Sequence, residues 1–178
     1  NETNPGEVDG VPALIERPWH VLLDSGQGGN EAGRYDVLTA DPFVTLTTRG
    51  AVTEIRHRDG VASDARDPLA LLAEALGEPA DRPPEVPFAG GAIGYLAYDL
   101  GRRFERLAST AVDDVGVPEM AVGLYDWACV VDHVARRAWL VGAGRDEKTF
   151  DEWPRLLEQV QAVGAKPLDL PPFRAVSP

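Results

Sequence analysis

Residues 87–105 read PFAGGAIGYLAYDLGRRFE, and residues 118–132 read PEMAVGLYDWACVVD. The first stretch places four glycines and three aromatic residues, Phe88, Tyr95 and Tyr98, in an apolar run before Arg102, and it contains no recognisable catalytic motif. Glycine weakens a strand unless the backbone bends or another group must approach closely. We therefore predict that a neighbouring structure packs closely against this stretch, and that its role is structural.

The second stretch is apolar at both alternating sets of positions from Met120 to Val131. A strand of this kind is covered on both faces, which predicts one central strand over these residues. β-Branched residues between turn signals predict further strands, at residues 20–23, 33–40, 43–48, 52–57 and 138–141. The short spacings between the early strands leave no room for crossover helices, so antiparallel pairing is favoured.

Two helices complete the predicted secondary structure. Asp67 and Pro68 are typical of a helix start and Gly77 of a helix end. The second helix is predicted over residues 148–163, and Pro154 is expected either to lie near its first turn or to shift its start to about Glu152. Its expected packing stripe comprises Phe150, Leu156, Leu157, Val160 and Val163.

These elements predict an α+β fold of mostly antiparallel β-sheets, sandwich-like, with seven to nine strands and two main outer helices. The segment 78–87 contains four prolines and is predicted to be an extended surface linker. The C-terminal segment KPLDLPPFRAVSP is also rich in proline and is typical of a linker between domains.

The composition restricts the classes of partner. The chain has 178 residues, and its 17 basic and 29 acidic residues give a net charge of −12, which opposes binding to nucleic acid. Its apolar runs are much shorter than the roughly 20 residues that cross a bilayer, and its polar N-terminus does not resemble a signal peptide. We therefore expect no nucleic acid, no membrane and a cytoplasmic location, with which the single cysteine agrees.

The residue patterns predict neither a catalytic site nor a metal site. His20, His57 and His133 lie in separate segments without the spacing of a metal site. Cys129 lies in the most apolar predicted strand, where a core role is favoured over that of a nucleophile. The nucleophile motif GxSxG is absent around Ser25. We expect no cofactor within this chain.

One candidate binding site is predicted from the first two strands. Asp24 and Ser25 end one strand, and Arg34, Tyr35 and Asp36 begin the next, so pairing of the strands would bring them together. A carboxylate of Asp24 or Asp36 could then hold an ammonium group, the arginine could face a carboxylate and the tyrosine could form an aromatic wall, which suits a zwitterionic amino acid. The alternative is that these polar residues cap turns and that the tyrosine belongs to the core.

Five segments in order resemble a known family: LLDSG at 22–26, GRYDVLTADPFVTLTTRG at 33–50, DPL at 67–69, PFAGGAIGYLAYDLGRRFE at 87–105 and VPEMAVGLYDWACVVDH at 117–133. They are similar to the N-terminal region of aminodeoxychorismate synthase component I, within the superfamily of anthranilate synthase component I. The resemblance covers roughly residues 18–165. It implies the N-terminal half of the chorismate-utilising synthase fold, preceded by a lead-in over residues 1–17.

The resemblance also implies an activity and partners. The family replaces the 4-hydroxyl group of chorismate with an amino group in the 4-aminobenzoate (folate) pathway, using ammonia from a glutaminase subunit. Its catalytic chorismate-binding domain, which contains a Mg²⁺ site, follows this region, so residues 166–178 are expected to be a linker to that domain. We therefore expect the chain to be inactive alone and to dock against that domain, with residues 99–105 near the glutaminase.

Tryptophan binding is a further implication of the resemblance, because the family binds this amino acid at an LLES-like motif. The matching candidates here, with Leu22 beside them, are Leu23, Asp24, Ser25, Arg34, Tyr35 and Asp36. Asp24 stands where the motif has glutamate, which puts its ammonium contact in question. Two alternatives stay open: the N-terminal domain of anthranilate synthase component I, and a stand-alone module that binds an amino acid or a partner protein.

Overall fold

A computed structural model describes residues 14–26, 33–79, 82–106 and 113–163, without the side chains of residues 162 and 163. These residues form nine strands, two α-helices and a 3₁₀ helix, Tyr98–Arg103. The strands are β1 (Val21–Leu23), β2 (Tyr35–Thr39), β3 (Val44–Arg49), β4 (Val52–His57), β5 (Gly60–Asp64), β6 (Gly91–Leu96), β7 (Met120–Tyr125), β8 (Trp127–Asp132) and β9 (Arg137–Gly142). The helices are α1 (Pro68–Leu76) and α2 (Glu147–Val163).

The strands form two antiparallel sheets. The four-stranded sheet has the order β1-β2-β8-β9, and the five-stranded sheet has the order β5-β4-β3-β7-β6. Every neighbouring pair within them is antiparallel. The predicted α+β class of antiparallel sheets with two main helices is therefore confirmed. The strand β5 was not predicted, since its short and exposed sequence lacks an apolar face.

Helix α1 covers one face of the five-stranded sheet. Asp67 caps its start by accepting a hydrogen bond from the Leu69 N–H at 3.2 Å, and Gly77 follows its end with a positive φ of 60°. These predicted end signals are confirmed. The buried core beneath the helix contains Val44, Leu46, Leu71, Leu100, Met120, Val122 and Leu124. Alternation along β3 and β7 puts these strand residues on one face.

Helix α2 covers one face of the four-stranded sheet. Its residues Leu156, Trp153 and Val160 pack with Trp127 and Cys129 of β8. The predicted stripe was partly wrong, because Phe150 is 77% exposed and Leu157 is half-exposed, and the side chain of Val163 lies outside the described residues. Trp153, which was not part of the predicted stripe, packs against this core, and its ring lies close to Gly142 of β9.

The expected position of Pro154 was wrong. Pro154 lies inside α2 rather than near its first turn, because the helix already begins at Glu147.

The segment 78–87 is exposed at its described residues, as predicted for a surface linker, with one exception. Its residue Val86 is 1% exposed and packs with Ala89, Val37 and Val130 on the second face of the four-stranded sheet. That sheet is thus covered on both faces.

The long strand predicted over residues 120–131 is in fact two strands in different sheets. The chain leaves β7 at Tyr125 and enters β8 at Trp127, so Asp126 is the junction. The Asp126 carboxylate is 2% exposed and accepts hydrogen bonds from the N–H groups of Arg145 at 2.7 Å and Asp146 at 3.0 Å. An uninterrupted strand was predicted because both halves are apolar on both faces, and the acidic residue between them marks the break.

The glycines of residues 90–94 are explained by neighbours within the same chain. A methyl group added at Gly94 would lie 2.1 Å from the carbonyl oxygen of Ala121, on the adjacent strand β7. A methyl group at Gly90 would lie 2.9 Å from the carbonyl oxygen of Tyr125 and from the Cβ atom of Ala143. The predicted close approach is therefore confirmed. Its partners at these two positions are β7 and the segment after β9.

Candidate functional site

The paired ends of β1 and β2 bring Ser25 and Asp36 into contact. The two strands are antiparallel, with Leu23 opposite Val37, so the residues after β1 lie beside the start of β2. Both the N–H and the hydroxyl group of Ser25 donate to Asp36 Oδ1, each at 2.9 Å. This geometry agrees with the predicted meeting of the two segments.

Asp24 takes a different role from Asp36. Its side chain is exposed, and its Oδ1 atom accepts a hydrogen bond from the N–H of Gly26 at 2.7 Å. This bond closes a local turn, which is the role that the alternative interpretation gave to it. Of the two carboxylates proposed for an ammonium group, Asp36 is thus the one oriented by another candidate residue. The neighbouring Leu22 and Leu23 are half-exposed.

Arg34 is held by an aspartate that was not among the predicted site residues. Its Nε and Nη2 atoms donate to Asp132 Oδ2 at 3.1 and 2.7 Å, and its guanidinium lies 4.7 Å from the ring centre of Tyr35. The Tyr35 hydroxyl donates to the carbonyl oxygen of Glu85 at 3.4 Å, and its ring packs against the core that contains Val86. The arginine is therefore fixed between a carboxylate and an aromatic face.

His133 is the second residue of the site that the sequence did not suggest. The Nε2 atom of its ring lies 2.7 Å from Asp36 Oδ2, and its backbone N–H donates to the carbonyl oxygen of Arg34 at 2.9 Å. Asp132 is the last residue of the apolar strand β8 and His133 follows it, and β8 pairs with β2 so that Asp132 is opposite Tyr35. The signal that could have found them is this pairing, because the end of β8 must lie beside the start of β2.

Hydrogen bonds dominate the electrostatics of the two carboxylates. Burial alone raises the pKa of Asp36, but donation by Ser25 and His133 outweighs it, so the pKa lies below its ordinary value of 3.8. The hydrogen bonds from Arg34 lower the pKa of Asp132 to about 2, with help from the N–H groups of Val134 and Ala135. Both carboxylates are therefore ionised at neutral pH.

The cluster of Ser25, Arg34, Asp36, Asp132 and His133 lies on both faces of the four-stranded sheet, at the end where β2 begins. Successive residues of a strand point to opposite faces, so Tyr35 and Asp132 lie on one face and Asp36 on the other. The first face carries the Arg34–Asp132 pair, and the second carries Ser25, Asp36 and His133. The arrangement offers an oriented carboxylate and hydroxyl on one side, and a fixed guanidinium on the other, at the same end of the hairpin.

The geometry gives no support to covalent or metal chemistry in the described part of the chain. Burial raises the pKa of the Cys129 thiol to about 11, so a thiolate nucleophile is disfavoured there. Within residues 14–26, 33–79, 82–106 and 113–163, no three His, Cys, Asp or Glu side chains are grouped so that they could hold a cation. These residues do not fit the Mg²⁺ site that the family implies, and no catalytic step is assigned to them through that ion.

Two further features lie outside the cluster. A cavity of about 600 Å³ is lined by Trp19, Phe43, Arg56, His57 and Arg58 among others, and it includes none of the predicted site residues. None of the helices formed by the described residues has the length and apolar character needed to span a membrane.

Comparison with known proteins assigns the family. The model of the family described as "chorismate binding enzyme" matches residues 21–177. The chain belongs to the chorismate-binding enzyme family. It is 44% identical to aminodeoxychorismate synthase component 1 of Klebsiella aerogenes over 130 residues, which is 71% of this chain and 29% of that protein. It is 35% identical to anthranilate synthase component 1 of Thermus thermophilus over 130 residues, covering 72% of this chain and 27% of that protein.

A solved structure agrees with this family at the level of the fold. Anthranilate synthase component I from Streptococcus pneumoniae superposes with a TM-score of 0.62 at 22% identity, covering 90% of this chain and 37% of that chain. The chain spans less than a third of the length of the two curated relatives described above. The activity and partners of those whole proteins therefore enter only as proposals.

Proposed function

We propose that this chain forms the N-terminal, non-catalytic part of an aminodeoxychorismate synthase component 1, a cytoplasmic enzyme that aminates chorismate in the 4-aminobenzoate (folate) pathway. The observation that carries this proposal is the 44% identity to the Klebsiella aerogenes enzyme over 71% of the chain. The identity to the Thermus thermophilus anthranilate synthase component is lower, at 35% over a similar share. The N-terminal domain of an anthranilate synthase is therefore the second candidate.

A fragment-complementation assay tests the activity. The chain alone should leave chorismate unchanged in the presence of ammonia and Mg²⁺. Addition of the separately expressed C-terminal two thirds of the Klebsiella aerogenes enzyme should yield 4-amino-4-deoxychorismate. Turnover of chorismate by the chain alone would contradict the non-catalytic role. Failure of the chain to restore amination, when the Klebsiella N-terminal segment does restore it, would contradict the assignment.

The cluster at the β1–β2 end supports a second part of the proposal, a site for L-tryptophan as a structural or regulatory ligand. Asp36 and Ser25 would hold its ammonium group, because the carboxylate is oriented and ionised. Arg34 is held by Asp132 on the opposite face, so it would have to leave that contact to reach the ligand carboxylate. Leu23, Asp24, Arg34 and Tyr35 are the other candidate contacts. L-Tryptophan should raise the melting temperature, and the absence of any shift at millimolar concentration would contradict this site.

Two protein partners belong to the proposal: the C-terminal chorismate-binding portion, with its Mg²⁺, and an amidotransferase component. Relatives of the chain are named component 1 of their synthases, which supports the second partner. Six large exposed apolar residues lie at one end of the five-stranded sheet and in its adjoining segments: Val52, Leu96, Tyr98, Phe104, Val115 and Val117. We assign this surface to the contact with the C-terminal portion. Hydrogen bonds from Ala97 to Glu119 and from Arg103 to Gly50 tie the segments together.

Charged substitutions on this surface test the assignment. Tyr98 is 83% exposed, so Tyr98→Asp should preserve the fold and weaken association with the separately expressed C-terminal portion. Phe150→Asp is the matched control, because this residue is 77% exposed on α2, away from that surface. Equal association of both variants, measured by light scattering, would remove the basis for placing the partner there.

A further inference from the structure

The carboxylate assigned to the ligand already has an internal partner on each oxygen. Asp36 Oδ1 accepts both hydrogen bonds from Ser25, and Asp36 Oδ2 lies 2.7 Å from Nε2 of His133. Oδ1 thus has two donors and Oδ2 has one, so an incoming ammonium group would bind at Oδ2, beside His133 or in its place. The contact with His133 is the one that a ligand can replace, because the His133 side chain is 38% exposed. One of the two Ser25 bonds comes from the backbone N–H, which is fixed by the fold.

The fold holds His133 at this position through its backbone. It directly follows β8, and its N–H donates to the carbonyl oxygen of Arg34 at 2.9 Å, which extends the pairing of β2 with β8 by one step. Alternation along the strand then points its ring to the face opposite that of Asp132, where Asp36 lies. The imidazole can leave Asp36 by rotation of its own side chain, with no change in this backbone contact.

Because an imidazole N–H and an alkylammonium are both donors to a carboxylate, they compete for the same oxygen. We propose that His133 occupies the ammonium-binding position of Asp36 in the free protein, and that a zwitterionic amino acid binds by displacing it. This inference rests on the proposed amino-acid site. It makes His133 a competitor whose strength depends on its charge, so protonation of the ring opposes ligand binding.

Asp36, Arg34 and Asp132 are the other charged groups of the cluster that contains His133. Asp36 of β2 is the ionised group in contact with it, and its lowered pKa keeps it charged far below neutrality. Arg34, which precedes β2, is bound to Asp132 at the end of β8, on the opposite face. Histidine is the side chain whose charge ordinarily changes between pH 5 and pH 8. Ligand affinity should therefore increase as pH rises through this range.

Calorimetric titration of the chain with L-tryptophan at pH 5.5, 6.5, 7.5 and 8.5 tests the inference. The dissociation constant of the wild type should be lower at pH 7.5 than at pH 5.5, with a slope of at most tenfold per pH unit, the limit for one competing proton. His133→Gln keeps a neutral donor beside Asp36, and its affinity should be independent of pH and higher than that of the wild type at pH 5.5. His57→Gln, an exposed histidine on β4, is the control and should keep the wild-type profile.

The possible outcomes separate this inference from the site on which it rests. A pH-independent affinity in the wild type, or an unchanged pH profile in His133→Gln, would overturn the competition and leave the amino-acid site intact. Binding by His133→Gln at a pH at which the wild type does not bind would support both. Absence of binding in both proteins at every pH would overturn the amino-acid site and the competition together.

Discussion

The two sheets share one antiparallel pattern but differ in what they bury. In the five-stranded sheet, the polar side chains in the interior include Thr48 and Thr53, whose hydroxyl groups lie 2.9 Å apart and satisfy each other. In the four-stranded sheet, one end holds two ionised aspartates, an arginine and a histidine. The first sheet is stabilised by apolar packing and close backbone contact, whereas the second combines such a core with a charged cluster that a ligand could rearrange.

This difference predicts two kinds of mutational effect. Changes in the five-stranded sheet should reduce the free energy of unfolding and leave ligand affinity unchanged in the folded protein. Changes at Ser25 and His133 should alter ligand affinity or its pH dependence at small cost in stability, because their hydrogen bonds to Asp36 are partly exposed to solvent. Substitutions in each sheet can test whether the division holds.

The largest loss of stability is expected for Gly94→Ala in β6. Its new methyl group would overlap the carbonyl oxygen of Ala121, and separation of the two strands should lower the free energy of unfolding by about 3 kcal/mol. Urea denaturation measures this loss. Gly60→Ala on β5 is the matched control, because nothing lies within 4 Å of its added methyl group. Similar values for the two variants would contradict close packing as the reason for the glycine.

The junction between the sheets should be nearly as sensitive. Asp126→Ala removes the acceptor of two N–H groups, those of Arg145 and Asp146, and should lower the free energy of unfolding by about 2 kcal/mol. Asp126→Asn keeps one acceptor oxygen and should lose less. Asp151→Ala, at an exposed position on α2, serves as control in the same urea titration. If Asp126→Ala were as stable as Asp151→Ala, this aspartate would not secure the junction.

Ser25→Ala should affect the ligand more than the fold. The variant loses the hydroxyl bond to Asp36 but keeps the backbone bond, so its stability should fall by less than about 1 kcal/mol. The rise in melting temperature with L-tryptophan should become smaller than in the wild type. Ser63→Ala, an exposed serine on β5, provides the comparison in the other sheet. A full wild-type shift in Ser25→Ala would exclude its hydroxyl from the ligand site.

The contact between Arg34 and Asp132 should appear in the dependence of stability on acidic pH. The pKa of Asp132 is about 2 in the folded protein and near 3.8 when unfolded, so its contribution is present above about pH 4 and is lost as pH falls towards 2. The free energy of unfolding of Asp132→Asn should fall less steeply than that of the wild type as pH decreases from about 4 towards 2. The difference in slope should correspond to at most one bound proton. Thermal unfolding from pH 5 to pH 2.5 measures this, with Asp151→Asn as control. Identical slopes would argue against a special role for the Arg34 contact.

The sequence predicted the local elements well and their connections less well. The ends of α1 were predicted from Asp67, Pro68 and Gly77, because capping depends on residues within one or two turns. The break at Asp126 was missed because both halves of the stretch have the same apolar alternation. The burial of Val86 was missed too, since a proline-rich segment gives no sign of the core that it covers.

The candidate site shows the same division. Ser25 and Asp36 could be paired from sequence, because one hairpin joins them over a short distance along the chain. Asp132 and His133 could not, since they lie about a hundred residues further on and reach the site only through the pairing of β2 with β8. The partner of Arg34 was therefore beyond what the motif alone could predict.

For the stretch at residues 87–105, the run of glycines and aromatic residues was sufficient to predict a strand packed against a close neighbour. The identity of that neighbour depended on the tertiary structure, which places β7 within contact of Gly94. The physical reason is the distance along the chain over which each signal acts. Glycine content, caps and alternation act between residues close in the chain, whereas strand order is chosen by which distant faces bury apolar surface together.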